Sequence, residues 1–192
     1  MPPSLPLGAR FLGAYLSSQT AEALLETVDG QSWRSDLKRR VQHYGWRYDY
    51  RARTVSPDMR LGPLPDWLAP LAQRIAREAE FEAIPDQVII NEYQPGQGIS
   101  AHIDCAPCFG PVIASLSLTG GAEMVFENTH THDRISLRLE PRSLLILSGE
   151  ARYDWSHAIP ARKSDAVNGV RIPRTRRVSL TFRTMELMDN KT

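Results

Sequence analysis

Lysine is scarce in this sequence. Only Lys38, Lys163 and Lys191 are lysines, so arginine supplies 20 of the 23 basic residues (23 minus 3). Against 22 acidic residues the formal net charge is only +1, which excludes a general electrostatic attraction to nucleic acids. Arginine binds phosphate and carboxylate groups through two parallel hydrogen bonds, but arginine-rich codon usage explains the bias equally well. The number of arginines therefore does not indicate a function, and only their positions in the sequence can.

Cysteine and long apolar runs are also scarce. Cys105 and Cys108 are too few for a disulfide framework, or by themselves for a structural zinc site. No apolar segment is long enough to span a membrane, and no signal-peptide core follows the first residues. We therefore expect a cytoplasmic protein with reduced thiols, no membrane partner and a monomeric state. A redox-active cysteine pair is the alternative.

The apolar pattern divides the chain into a helical first half and a strand-rich second half. Helices are predicted over residues 19–28 and 66–80. Eight strands are predicted over residues 87–93, 99–104, 111–119, 122–127, 134–139, 143–148, 153–159 and 176–184. This pattern favours one α+β domain over residues 1–192, with a jelly-roll core at about 86–185 and helices packed against one sheet.

The sequence His102-Ile103-Asp104 predicts part of a metal site. Residues i and i+2 of a strand point to the same face, so both side chains can bind one ion. A second histidine would complete the 2-His-1-carboxylate set that holds Fe(II) with open positions. His157 on a predicted apolar strand is the favoured third ligand, against His43, His130 and His132. A hydrogen-bonded core histidine is the alternative role for His157.

The last predicted strand carries two arginines on one face. Arg177, Ser179, Thr181 and Arg183 alternate with the apolar residues Val178, Leu180 and Phe182. If the apolar face packs on the rest of the core, the arginines point inward and need anionic partners. A short dicarboxylate such as 2-oxoglutarate meets that need. Two solvated arginines at a strand edge are the alternative.

Asn91 and Tyr93 share one face of the strand before the His-X-Asp sequence. Their amide and phenol can hydrogen-bond the same co-substrate. The alternative role for Tyr93 is that of a core aromatic.

Residues 33–53 combine basic and aromatic side chains. The aromatic residues Tyr44, Trp46, Tyr48 and Tyr50 alternate with other residues, and the basic residues are Arg34, Lys38, Arg39, Arg40, Arg47, Arg51 and Arg53. Aromatic rings beside arginines are typical of surfaces that bind unpaired nucleotides. The alternative is a strand whose aromatic face packs in the core. Both interpretations stay open from the residues alone.

Taken together, these motifs resemble the AlkB family of Fe(II)- and 2-oxoglutarate-dependent dioxygenases. The resemblance lies in Asn-X-Tyr-X-Pro-Gly-X-Gly-Ile-X-X-His-X-Asp over residues 91–104, a distal histidine, and Arg-X5-Arg over residues 177–183. Within the family, residues 148–157 and 41–46 are most similar to the oxygenase domain of the tRNA wobble-uridine hydroxylases. The resemblance implies a double-stranded β-helix with a nucleotide-recognition lid, here about residues 33–60.

The resemblance also implies roles for individual residues. His102, Asp104 and His157 would bind Fe(II). Arg177 with Tyr93 would hold the distal carboxylate of 2-oxoglutarate, Arg183 with Asn91 would serve nearer the metal, and Ser179 would add a weaker hydrogen bond to the co-substrate. Ser179 stands where the founding repair enzyme has asparagine. Ala106 stands where that enzyme has an acidic residue that reads the base, so its base preference does not transfer.

The implied activity is oxidation of alkyl groups on nucleic-acid bases with Fe(II), 2-oxoglutarate and O2. A base within a duplex cannot reach a buried metal, so a single strand or a flipped base is expected. Substrate contacts are expected from the lid residues Arg39, Arg40, Tyr44, Trp46, Arg47 and Tyr48, together with position Ala106. The alternatives are the same chemistry on a protein side chain or small molecule, and a jelly-roll binding module without catalysis.

Overall fold

The computed structural model describes residues 4–35, 37–50, 52 and 54–186. The predicted lid residues Asp36, Arg51 and Arg53 therefore lie outside the described part. The helices are α1 (Ser18–Asp29), α2 (Ala69–Glu78) and α3 (Gly149–Tyr153), with a 3-10 turn at Pro57–Met59. The strands are β1 (Ala9–Leu12), β2 (Arg40–Tyr44), β3 (Gln87–Tyr93), β4 (Ile99–His102), β5 (Phe109–Ser117), β6 (Ala122–Asn128), β7 (Arg134–Leu139), β8 (Ser143–Leu147), β9 (Trp155–Ile159), β10 (Ser164–Val167), β11 (Val170–Pro173) and β12 (Arg177–Met185).

Two antiparallel sheets form the core of the fold. The larger sheet has the order β1-β8-β5-β12-β3-β2, and the smaller has the order β4-β9-β6-β7. Strands β10 and β11 form a separate hairpin. The arrangement confirms the predicted double-stranded β-helix, in which two facing sheets enclose a site between them.

The larger sheet presents one face to the helices and the other to the smaller sheet. Val178, Leu180 and Phe182 of β12 belong to a buried cluster with Leu68 and Ile75 from the α2 region. A second cluster contains side chains from both sheets, including Phe109, Ile113, Phe126, Leu145 and Leu147. Because strand side chains alternate, Arg177, Ser179, Thr181 and Arg183 face the space between the sheets. The inward direction predicted for both arginines is confirmed.

A side-chain cap explains where α1 begins, and glycine geometry explains where β2 ends. The Ser17 side chain accepts a hydrogen bond from the Thr20 amide (3.0 Å), which starts α1 at Ser18. Strand β2 ends at Tyr44 because Gly45 has φ +76, and a Cβ there would lie 1.7 Å from the Asp86 carbonyl oxygen. The aromatics after Tyr44 therefore do not continue one strand face, contrary to the period-two prediction.

Several element boundaries also differ from the predictions. Strand β4 ends at His102, so Asp104 follows the strand instead of lying on it. Tyr153 ends helix α3 and does not start a strand. Strand β1, strand β2 and the β10–β11 hairpin were not predicted. Among the described residues, no helix is long and apolar enough to cross a membrane.

Candidate active site

His102, Asp104 and His157 converge at one point between the sheets. One ligand atom from each residue lies within 4.8 Å of the others. His102 and His157 are direct partners in the β4–β9 pairing, and their ring centroids are 4.4 Å apart. Asp104 reaches the same point from the turn after β4. Two imidazoles and a carboxylate form a donor set that suits Fe(II).

His102 and Asp104 are oriented by neighbouring groups. The His102 Nδ1 atom donates to the Ser100 carbonyl oxygen (2.8 Å), which leaves Nε2 as the free ligand atom. That Nε2 atom lies 3.6 Å from Asp104 Oδ1. Burial raises the pKa of Asp104, but the Arg183 guanidinium and the two histidines hold it well below its ordinary value. The carboxylate is therefore ionised and ready to bind a cation.

His157 is held neutral by its surroundings. Burial, with the charge of neighbouring His102, lowers the pKa of His157 from 6.5 to about 4. Its Nδ1 atom is buried and has no hydrogen-bond partner among the described residues. A neutral imidazole with an unsatisfied buried nitrogen matches the requirement of a metal ligand, which must offer a lone pair.

A cavity of about 570 Å³ extends from these three residues between the sheets. Arg177 lies in its wall with 3% of its surface exposed. Arg177 Nη1 donates to the Gly120 carbonyl oxygen (3.2 Å), while its Nε atom has no partner in the described part of the chain. Burial lowers the pKa of the Arg177 guanidinium to about 10. The cavity therefore holds a buried cation that no described carboxylate pairs with.

The other predicted co-substrate residues surround the same cavity. Asn91, Tyr93, Ser179 and Arg183 all line it. Tyr93 is buried, which raises the pKa of its phenol, and it lies near Arg177. Arg183 donates to both Asp104 oxygens (3.3 Å) and to Gln87 Oε1 (3.3 Å). The structure thus brings together all eight residues predicted for metal and co-substrate binding.

Only part of the predicted lid reaches the cavity. Arg39 and Tyr48 line it, and Arg39 donates to Asn91 Oδ1 (2.8 Å) while lying over the Tyr93 ring. Tyr50 lines it as well, in a T-shaped contact with Tyr48.

The other residues predicted to contact substrate lie outside the cavity lining. Arg40 pairs with the buried Glu92 (2.7 Å), Tyr44 packs on Trp67, and the Trp46 indole donates to Asp86 (3.1 Å). Arg40 and Tyr44 lie opposite Glu92 and Val88 in the β2–β3 register, so their side chains face the helix side of the larger sheet, away from the cavity. The cavity lining also omits Arg47 and Ala106, both of which are exposed.

The cysteines differ from the expected reduced state. Cys105 and Cys108 form a disulfide across the turn that follows Asp104. Both are buried, and Cys105 lines the cavity. The separation of three positions permits this bond, but the small number of cysteines in the sequence favoured free thiols.

Sequence reasoning did not assign three residues of the site. Phe109 lines the cavity beneath Tyr48 and Arg183. Tyr50 was noted only as part of the aromatic stretch. Arg152 lies fully buried behind the turn after Asp104, as described below. Tyr50 and Arg152 lie in stretches that the sequence analysis singled out, but their own places depend on contacts with distant segments, and Phe109 lies in an apolar run that gives no signal of a site.

Comparisons with known proteins agree with this geometry. The sequence matches the family described as the 2OG-Fe(II) oxygenase superfamily over residues 8–183. The "Alkylated DNA repair protein ALKBH8 homolog" of Arabidopsis thaliana is 39% identical over 92% of this chain. The "tRNA (carboxymethyluridine(34)-5-O)-methyltransferase ALKBH8" of Macaca fascicularis is 40% identical over 86% of it. The chain spans 58% and 26% of the lengths of these two relatives, respectively.

The fold has a match among solved structures. The structure of OsALKBH1 superposes with a TM-score of 0.68 at 19% identity, covering 94% of this chain and 98% of that one. At that identity the match supports the fold alone. The family match spans most of the chain and includes every residue of the converging triad. The protein belongs to the 2OG-Fe(II) oxygenase superfamily, and its resemblance within that superfamily is to the AlkB-like oxygenases.

Proposed function

We propose that this protein is an Fe(II)- and 2-oxoglutarate-dependent dioxygenase that oxidises alkyl groups on nucleic-acid bases. One observation carries the proposal: the His102, Asp104 and His157 triad shares a cavity with Arg177, a buried cation without a described carboxylate partner. A triad alone suits many metals, and a buried arginine alone suits many anions. Their combination in one cavity suits a metal ion with a dicarboxylate beside it.

The residues that line the cavity fit both Fe(II) and 2-oxoglutarate. His102, Asp104 and His157 would hold Fe(II), as the neutral His157 imidazole, the exposed Nε2 atom of His102 and the ionised Asp104 carboxylate allow. Arg177 would pair with the distal carboxylate of 2-oxoglutarate, assisted by the Tyr93 phenol, and Asn91, Ser179 and Arg183 would serve nearer the metal. When bound, iron and 2-oxoglutarate together supply oxygen activation for hydroxylation of a substrate C–H bond. A hydroxylated N-alkyl group then leaves as an aldehyde, whereas a hydroxylated carbon-bound arm persists.

The chain's own residues supply position, charge and exclusion of water. Arg183 neutralises the buried Asp104 carboxylate and keeps it from accepting a proton. The Ser100 carbonyl fixes the His102 tautomer. Ile113, Leu145 and Leu147 line the cavity on the larger sheet, and such side chains favour the apolar stem of a dicarboxylate over water.

Substrate recognition is proposed for the part of the lid that reaches the cavity. Arg39, Tyr48 and Tyr50 place a cation and two aromatic rings in its wall. Such a combination suits a flipped or single-stranded base. The names of the relatives refer to alkylated DNA repair and to a tRNA uridine, which supports a nucleic-acid substrate for this chain. A single domain over residues 1–192, a monomer and a cytoplasmic location stay predictions.

The test is mass spectrometry of nucleosides after incubation with Fe(II), 2-oxoglutarate and air. The panel comprises methylated single-stranded DNA, methylated RNA and a tRNA anticodon stem-loop. We expect demethylated or hydroxylated nucleosides from at least one substrate, and none from His102→Ala. Succinate formation without any altered nucleoside would favour a protein or small-molecule substrate. If the protein neither forms succinate nor binds iron, the remaining interpretation is a non-catalytic binding module.

A further inference from the structure

Arg152 links the two segments that carry the triad. It lies in helix α3, which leads directly into β9 and His157. Its side chain extends to the turn that carries Asp104. Arg152 does not line the cavity, so it would touch neither the metal nor a substrate.

The Arg152 guanidinium donates to four main-chain carbonyl oxygens, two in the turn that begins at Asp104 and two at the start of β5. These are the carbonyls of Asp104 (2.8 Å), Cys105 (3.3 Å), Phe109 (3.3 Å) and Gly110 (3.4 Å). The side chain is buried, with 2% of the residue surface exposed. No described carboxylate makes an ion pair with it within 4.0 Å. A rigid planar fork with five donors can satisfy such a set of acceptors, whereas a lysine ammonium has three donors on one atom.

Asp104 depends on this contact because β4 ends before it. The last residue of β4 is His102, so no strand pairing orders the carboxylate ligand. The turn that carries it is closed by the Cys105–Cys108 disulfide and by the bonds to Arg152. Arg183 orients the Asp104 carboxylate itself, whereas Arg152 holds the backbone of the turn that carries Asp104 at a fixed position relative to the strand that carries His157.

We propose that Arg152 is a positioning residue that sets the geometry of the metal site by joining the turn after Asp104 to the segment before His157. The inference rests on the proposed function, because it assigns metal binding to the triad. It predicts that loss of the guanidinium weakens metal binding even when the protein stays folded. A purely structural role predicts lower stability with an unchanged metal site.

The experiment measures Co(II) binding to the metal-free full-length protein, by calorimetry and by the Co(II) absorption spectrum. The variants are Arg152→Met, which removes the fork, and Arg152→Lys, which keeps the charge. Arg142→Met is the matched control, since Arg142 Nη1 donates to the Leu16 carbonyl oxygen (3.2 Å) and does not line the cavity. Circular dichroism establishes that each variant is folded before titration.

We expect Arg152→Met to bind Co(II) about 10- to 100-fold more weakly than wild type, the range typical of groups that orient metal ligands. Arg152→Lys should bind several-fold more weakly with an altered spectrum, and Arg142→Met should match wild type. If Arg152→Met does not fold, the Co(II) affinity and spectrum of Arg152→Lys test the inference instead. Wild-type affinity and spectrum in the folded Arg152 variants would overturn the inference alone. No Co(II) binding by wild type would overturn the proposed function as well.

Discussion

At the scale of single residues, Arg177 is a buried cation that no described carboxylate neutralises. A buried guanidinium without a carboxylate costs free energy in the protein alone. Its Nε atom has no described partner, and burial lowers its pKa to about 10. Such a group is expected to oppose stability until an anion binds beside it.

Replacing Arg177 with methionine should therefore separate stability from co-substrate binding. We expect the free energy of unfolding of the metal-free protein to rise by about 1 kcal/mol or more. The affinity for 2-oxoglutarate should fall by about 30-fold or more, since truncation of a buried charge pair costs about 2 kcal/mol at least. Urea denaturation and calorimetric titration measure the two effects. Unchanged 2-oxoglutarate affinity would remove Arg177 from the site.

Two tyrosines of the aromatic stretch should behave in opposite ways. Tyr50 lines the cavity, so Tyr50→Ala should weaken binding of a single-stranded substrate by about 5- to 100-fold. That range corresponds to losing the stacking of one base on an aromatic ring. Tyr44 packs on Trp67 and the helix-side core, so Tyr44→Ala should lower the free energy of unfolding by about 2 kcal/mol. It should leave substrate affinity unchanged. Fluorescence anisotropy with a labelled oligonucleotide distinguishes the two, and the reverse pattern would contradict the lid proposal.

At the scale of elements, the meeting of β4 and β9 positions the two histidines. Gly98 lies just before β4, where a Cβ would come within 2.1 Å of the Ile159 carbonyl oxygen and 2.9 Å of the Ala161 amide nitrogen. Both contacts are with backbone, which cannot move without shifting one strand. The closeness of these strands therefore requires glycine at this position.

A methyl group at Gly98 should separate β4 from β9. We expect Gly98→Ala to lower the free energy of unfolding by about 1 to 3 kcal/mol and to weaken Co(II) binding. Gly13→Ala is the control, because nothing lies within 4 Å of a Cβ there. Thermal denaturation and Co(II) titration compare the two variants. Equal behaviour would show that this close approach does not maintain the site.

The elements also show where sequence prediction works and where it fails. Alternating or continuous apolar runs predicted β3, β7 and the other core strands within two or three residues, because burial determines their pattern. The end of β2 at Gly45 depends on contact with Asp86, forty-one residues later, which no local pattern records. For the same reason the sequence placed Tyr44 and Trp46 in a substrate surface, whereas the structure packs them elsewhere.

At the scale of the whole molecule, buried carboxylates link stability to pH. Hydrogen bonds from Arg40, opposed by burial and reinforced by Arg176, lower the pKa of Glu92 from 4.5 to about 2. Burial raises the pKa of Asp165, but Arg174 and Arg162 lower it to about 2 overall. Groups with a depressed folded-state pKa stabilise the protein above their unfolded pKa, and this contribution is lost as pH falls through the folded value.

Glu92→Gln should accordingly destabilise the protein at pH 7 and have little effect near pH 2. The wild-type free energy of unfolding should fall between about pH 5 and 2, and the variant curve should converge with it there. The slope that remains in the variant includes contributions from Asp104 and Asp165, and from His157, whose lowered pKa acts in the same direction. Glu22→Gln, at an exposed position of α1, is the control. A constant difference between the curves at all pH values would contradict the assignment to Glu92.

The two-sheet fold and the grouping of the site residues were both predicted from the sequence, and for the same reason. The spacing His-X-Asp, the distal His157 and Arg-X5-Arg each carry little information, but together they resemble one family, and that resemblance implied both the two facing sheets and the grouped site. Sequence could not show which lid residues enter the cavity, or that Arg152 joins the turn after Asp104 to β9. Those features depend on contacts between distant segments. Metal and co-substrate binding by the grouped residues stays a prediction.

The most direct test of the account is succinate formation from 2-oxoglutarate by wild type and His157→Ala, with Fe(II), air and an alkylated single strand present. The account predicts succinate from wild type, a further increase with the alkylated strand over the unmodified one, and none from the variant. Equal succinate from both proteins, or none from wild type with any alkylated strand, would contradict it.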